Sequence, residues 1–205
     1  MIEDDAFSTI EAPADAVYKV KGSKHYGYVF PVAQIDDVKT HLKVLRKEHH
    51  GARHHAFAYR IGPAGTVWRT SDDGEPMNSA GPPILGVFKS KGLTNCLGVV
   101  VRYFGGIKLG TSGLMDAYKK ATLMALENGK IVQRFVEHSL TIDCPYNFIG
   151  TVIAMCEKHG ARIAKREFSD SCTFHLTVRE SQYKALRRAL GDFYGCQIQS
   201  TKKKR

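Results

Sequence analysis

"VVVRYFGGIKLGTSGL", Val99–Leu114, is the stretch on which the fold of the first half of the chain turns. With the residues before it, Asn95 to Phe104 reads as a strand that is apolar on both faces, which predicts a place in the middle of a sheet. The chain then opens into four glycines around a lone Lys108. It closes on a helix predicted over Ser112–Asn128, with Leu114, Ala117, Ala121 and Ala125 along one side and Gly129 as a cap past its end.

A central strand needs neighbours, and the sequence supplies them on its N-terminal side. Tyr26, Tyr28, Phe30 and Val32 alternate as one face of a strand. Ile35, Val38, Leu42 and Leu45 then fall at helical spacing, with Asp36 and Asp37 suited to the positive end of the helix dipole. "HHAFAYRIG" and "TVWRTS" read as two strands joined across "PAG", and "PPILGVFKSKG" as a short helix. From Glu137 a second rhythm begins: strand "HSLTID", helix "NFIGTVIAMCEKHG", strands "ARIAKREF" and "CTFHLTV", helix "SQYKALRRALGDFYG" and strand "CQIQS". That βαββαβ order is ferredoxin-like. Two domains follow, 1–136 and 137–200, with 201–205 as a solvated basic tail.

The 205 residues are 43% hydrophobic, enough for two cores. Lys and Arg total 30 against 20 acids, a formal charge of +10. The excess is shared: 18 basic against 13 acidic residues through Arg134, and 12 against 7 from Glu137 on. A basic balance favours anionic partners such as nucleic acid, phosphate-bearing ligands or acidic protein faces. The five cysteines are scattered, with no C-x-x-C, which suits a reducing cytoplasm. The N-terminus is acidic and has no apolar signal core, and no apolar run reaches the roughly 18 residues of a membrane helix.

Three stretches have the residue types for chemistry. In the glycine loop, Gly105 to Gly110 and Thr111 imitate a P-loop, but Lys108 lies inside the loop instead of after its second glycine. That departure speaks against ATP or GTP hydrolysis. What remains is a strand–loop–helix junction with two readings. Either the glycines make a tight turn under a packed helix, or Arg102, Gly105, Gly106, Lys108, Gly110 and Thr111 form an anion or RNA-backbone site. In "RTSDDGEPMNSAGPP", Asp72, Asp73 and Glu75 have three readings: a turn whose acids pair with Arg102 or Lys108, a divalent-metal or acid–base site, or a partner contact. His49, His50, His54 and His55 are crowded, but His54 and His55 point to opposite faces of a strand, which opposes a shared metal site. Neither Ser71 nor Ser79 has the G-x-S-x-G setting of a hydrolase nucleophile, and no cofactor is expected.

"RTSDDGEPMNSAGPPIL" followed by "TNCLGVVVRYFGGIKLGTSGLMDAY" resembles the signature of the YigZ/IMPACT family, and "YKVKGSKHYGYVFPV" and "ARHHAFAYR" fit its earlier blocks. The resemblance covers roughly residues 16 to 128, and the region after Glu137 resembles the small C-terminal domain of bacterial two-domain members. It departs at Asp116, where many members have an arginine, at Gly98, which interrupts the usual valine run, and at Ser112, which replaces a common glycine. It implies an α+β protein: an N-terminal α/β two-layer domain of the ribosomal-protein domain 2-like fold, then the ferredoxin-like domain. A similar pair of folds lies side by side near the end of elongation factor G. It also implies a link to translation, since eukaryotic relatives compete for a ribosome-associated activator of an initiation-factor kinase.

The expectation is a cytoplasmic, non-enzymatic protein that binds RNA or the ribosome and modulates translation. Two alternatives stand beside it: a metal-dependent hydrolase using Asp72, Asp73 and Glu75, and a protein-interaction module regulating a translation-linked kinase pathway.

Overall fold

The computed structural model describes residues 5–203, with side chains through residue 200. The chain divides into two units. Phe7–Arg134 form one, and Asp5 and Ala6 cluster with the residues from Phe135 onward in the other.

In the first unit, β2 (Ala14–Val20), β3 (Ser23–Pro31), β4 (His54–Ile61), β5 (Val67–Ser71) and β6 (Cys96–Tyr103) make a five-stranded sheet of order β2-β3-β6-β4-β5. Every neighbouring pair in it is antiparallel. β6 is the middle strand, as its two apolar faces require, and Cys96 through Arg102 are all buried. The helices α2 (Gly81–Ser90) and α3 (Gly110–Glu127) cover one face, where Ile84, Phe88, Tyr118 and Ala121 pack on Val29, Ala56 and Val100. This is the expected packing of helices on a sheet in an α+β chain. On the other face α1 (Ile35–Glu48) sets Val38 and Leu45 against Phe57, Tyr59, Leu97 and Val99. Ile35, expected inward, is 46% exposed because it begins the helix, one turn short of the packed stripe. α3 sits so close to β3 that a Cβ on Gly27 would fall 2.3 Å from the Ala121 carbonyl oxygen. α3 starts at Gly110, two residues earlier than its apolar pattern indicates. Gly129 is not left-handed; its N–H simply donates to the Leu126 carbonyl.

Three strands have no counterpart in the sequence reading: β2, and the two-stranded pair β1 (Ala6–Ile10) with β7 (Ile131–Phe135).

The second unit has the ferredoxin-like order. β8 (Glu137–Cys144), α4 (Ile149–Lys158), β9 (Arg162–Phe168), β10 (Cys172–Arg179), α5 (Glu180–Asp192) and β11 (Gln197–Lys203) follow one another, and the antiparallel sheet runs β11-β8-β10-β9. Leu140, Ile142, Phe174 and Leu176 face Val152, Cys156, Leu186 and Leu190 across one core. β11 continues through Lys203 by pairing with β8, so the backbone of 201–203, expected in the tail, belongs to the sheet. An edge strand needs a partner on one side only and tolerates lysines. Residues 204 and 205 of that tail lie outside the described residues. Among the described residues no helix is long and apolar enough to cross a membrane.

Candidate functional site

Strand register builds a polar row at one end of the five-stranded sheet. His25 of β3 and His54 of β4 both lie directly opposite Arg102 of β6. Residues opposite one another share a face, so all three are on the side covered by α2 and α3. Arg102 is only 6% exposed, and a buried guanidinium needs a partner. Its Nη1 donates to both carboxylate oxygens of Glu75, at 2.8 and 3.1 Å. The Tyr118 hydroxyl of α3 donates to the same carboxylate at 2.7 Å. Burial, reinforced by that carboxylate, pushes the Tyr118 phenol well above its ordinary range and keeps it a donor. His25 is fully buried and edge-on to Tyr118 at 5.4 Å. Burial first, and the Arg102 charge second, lower its pKa to about 4, so it is neutral at physiological pH.

The acidic loop turns its three carboxylates to three different tasks. Asp72 accepts from the backbone N–H groups of Asn78, Ala80 and Gly81, capping the start of α2. Asp73 adopts φ +44°, with Gly74 at +86°. It accepts from the His55 N–H at 2.8 Å and from Arg46 at 3.3 Å. Glu75 alone reaches Arg102. Of the nearby acids, it is therefore Glu75 that pairs with the arginine, and Asp73 is pinned instead by α1 and β4. Among the described residues no group of three or more His, Cys, Asp or Glu is placed to hold a metal ion.

In the glycine loop, backbone packing fixes Gly105. A Cβ there would lie 1.9 Å from the Gly22 carbonyl carbon, and its N–H donates to the Ser23 hydroxyl. Gly22, at φ +77°, forms the β2–β3 turn. Gly106 and Gly110 also need left-handed backbone, at φ +88° and +73°, and face open space. Lys108 and Thr111 are exposed. The contact between Gly22 and Gly105 therefore joins the loop of Lys108 to a hairpin carrying Lys19, Lys21 and Lys24, all exposed. Lys19 and Lys24 lie directly opposite one another on β2 and β3. None of the four lysines has an ion pair among the described residues.

Sequence reading missed His25 and Tyr118. The signal for His25 is register: it sits on the Arg102 face once β3 and β6 are paired. Tyr118 lies one turn beyond Leu114 on the buried stripe of α3, where a phenol requires a hydrogen-bond partner.

Comparison with known proteins accounts for both units. Residues 21–126 match the Impact N-terminal domain, and residues 142–195 match a domain of unknown function, DUF1949. The chain is similar to an IMPACT family member of Haemophilus influenzae, 32% identical over 84% of each chain. It is also similar to IMPACT family member YigZ of Escherichia coli, 28% identical over 89% of this chain and 90% of that one. IMPACT family member YvyE of Bacillus subtilis is 27% identical over 88% of this chain and 83% of its own. The crystal structure of a hypothetical protein superposes with a TM-score of 0.70 at 26% identity, covering 97% of this chain and 98% of that one. Matched in both of its domains and along most of its length, the chain belongs to the IMPACT family.

Proposed function

We propose that this protein binds RNA, free or in the ribosome, through the lysines of the Gly22–Gly105 junction, and that it modulates translation in the cytoplasm by binding without turning over a substrate. Family membership supports a translation-linked regulatory role at the level of the family. The observation that carries the RNA reading is the set of four exposed lysines, without ion pairs among the described residues, on two segments locked together by glycine backbones. Lys19 and Lys24, opposed in register, repel one another. A phosphate between them relieves that repulsion, and the N–H groups at the start of α3 beside Lys108 favour the same charge. Arg102 takes no part, because its charge is met inside by Glu75.

The acidic loop favours this reading over a hydrolase. Asp72, Asp73 and Glu75 each answer separate donors and do not converge on one point. Affinity capture from lysate, with and without ribonuclease, tests the proposal. Ribosomal RNA and proteins that disappear on ribonuclease treatment support it. A protein partner retained at full yield after ribonuclease contradicts it and favours the protein-interaction reading.

A further inference from the structure

We infer that the second domain carries its own phosphate-backbone groove, between α5 and β11, that takes single-stranded RNA; this rests on the RNA-binding reading above. A cavity of about 610 Å³ opens there, lined by Tyr183, Lys184, Arg187, Arg188, Asp192 and Ile198 among others. That is the size of a ligand site, well above a packing defect. Lys184, Arg187 and Arg188 stand at i, i+3 and i+4, one stripe of the helix. All three are exposed, while Leu186 and Leu190 take the opposite stripe into the core. The amphipathicity of α5 therefore sets a cationic wall along the groove.

Charge pairing divides that wall. Asp192 meets Arg188 at 3.6 Å, while Lys184 and Arg187 have no ion pair among the described residues. The rest of the lining has a different character. Tyr183 is half-buried, with one ring face stacked on His138 at 4.0 Å, and Ile198 lies on β11. Unpaired cations beside an aromatic and an aliphatic side chain match the two halves of a nucleotide, phosphate on the cations and base on the ring. An acidic peptide would use the cations and leave the ring without a role. The sheet face away from the helices is a poorer candidate. There Thr141 bonds to His175 and Thr173 to Asp143, so its polar groups are spent on one another.

Titration of the full chain with a fluorescein-labelled oligouridine of about 20 nucleotides, over a ladder of salt concentrations, tests the inference. Lys184→Gln/Arg187→Gln changes only exposed side chains. It is expected to weaken binding about tenfold or more at low salt and to flatten the log–log salt slope by about 1.4, roughly 0.7 for each cation on a single strand. Lys21→Ala/Lys108→Ala serves as the parallel control for the first-domain surface. If that control loses affinity while Lys184→Gln/Arg187→Gln binds as wild type does, the groove is overturned and the first-domain site stands. If the wild type shows no salt-dependent binding, both fall. Competition by polyglutamate as effective as by unlabelled RNA, abolished in Lys184→Gln/Arg187→Gln, overturns the choice of RNA as the groove's occupant.

Discussion

At the scale of single residues, the arginine between apolar neighbours is a structural ion, and its surroundings define what it can do. Arg102 and Glu75 are both sealed from water, with side chains 7% and 3% exposed. Removing one partner strands a buried charge, so Arg102→Ala is expected to lower stability by about 3–5 kcal/mol in urea denaturation. Lys108→Ala, on the exposed loop, should change it by less than about 0.5 kcal/mol. Equal costs for the two would contradict the division between interior and surface cations. His25 adds a pH signature. Its folded pKa, about 4, lies below the ordinary 6.5. Between those values the unfolded chain binds the proton and the folded one does not, so stability is full above about pH 6.5 and declines as pH falls towards 4. The loss approaches about 3 kcal/mol. His25→Phe should flatten that stretch of the stability–pH curve; an unchanged curve would show that other groups produce it.

At the scale of elements, glycines decide where α3 and its loop sit. A Cβ on Gly27 collides with α3, and one on Gly105 collides with the β2–β3 turn. Gly27→Ala and Gly105→Ala are each expected to destabilise by about 1–3 kcal/mol or more, because backbone has to move. Gly86→Ala, with no atom within 4 Å of its Cβ, is the control and should be neutral or stabilising in the same thermal melts. These contacts explain what was legible in the sequence. β6, α3 and the βαββαβ order of the second domain were readable because their apolar periods are long and each packs a full face. β2 was not, because only Ala16 of its seven residues is buried. β1 and β7 were hidden because they pair across more than a hundred residues, beyond the reach of any local pattern. In the acidic loop the sequence offers a turn whose acids pair with Arg102 or Lys108, but nothing local shows that Asp72 caps α2 from eight residues before Ala80, or that Glu75 is the one that turns inward.

At the scale of the whole molecule, the units differ in what completes them. Asp5, 2% exposed, accepts from Arg179 at 2.6 Å and from the Ser181 N–H at 3.0 Å, all within the second unit. Those bonds hold its carboxyl at about 2, below its usual 3.8. The stabilisation is present above about pH 4 and is lost as pH falls through 2. Asp5→Asn in the full chain removes this charge and leaves Phe135 and Val136 in place. It is expected to lower the stability of the second unit by roughly 2 kcal/mol in urea denaturation at neutral pH. A variant as stable as the wild type would mean that the Asp5 charge contributes nothing. In the other unit a glycine junction gathers lysines that have no carboxylate partner among the described residues. The most direct measurement is the salt dependence of RNA affinity for the full chain and for Lys21→Ala/Lys24→Ala/Lys108→Ala. Weaker binding is expected, with a log–log slope shallower by about 2–3, from roughly 0.7–0.9 for each phosphate contact removed. An affinity and slope equal to those of the wild type would contradict the RNA reading and leave the glycine loop as packing alone.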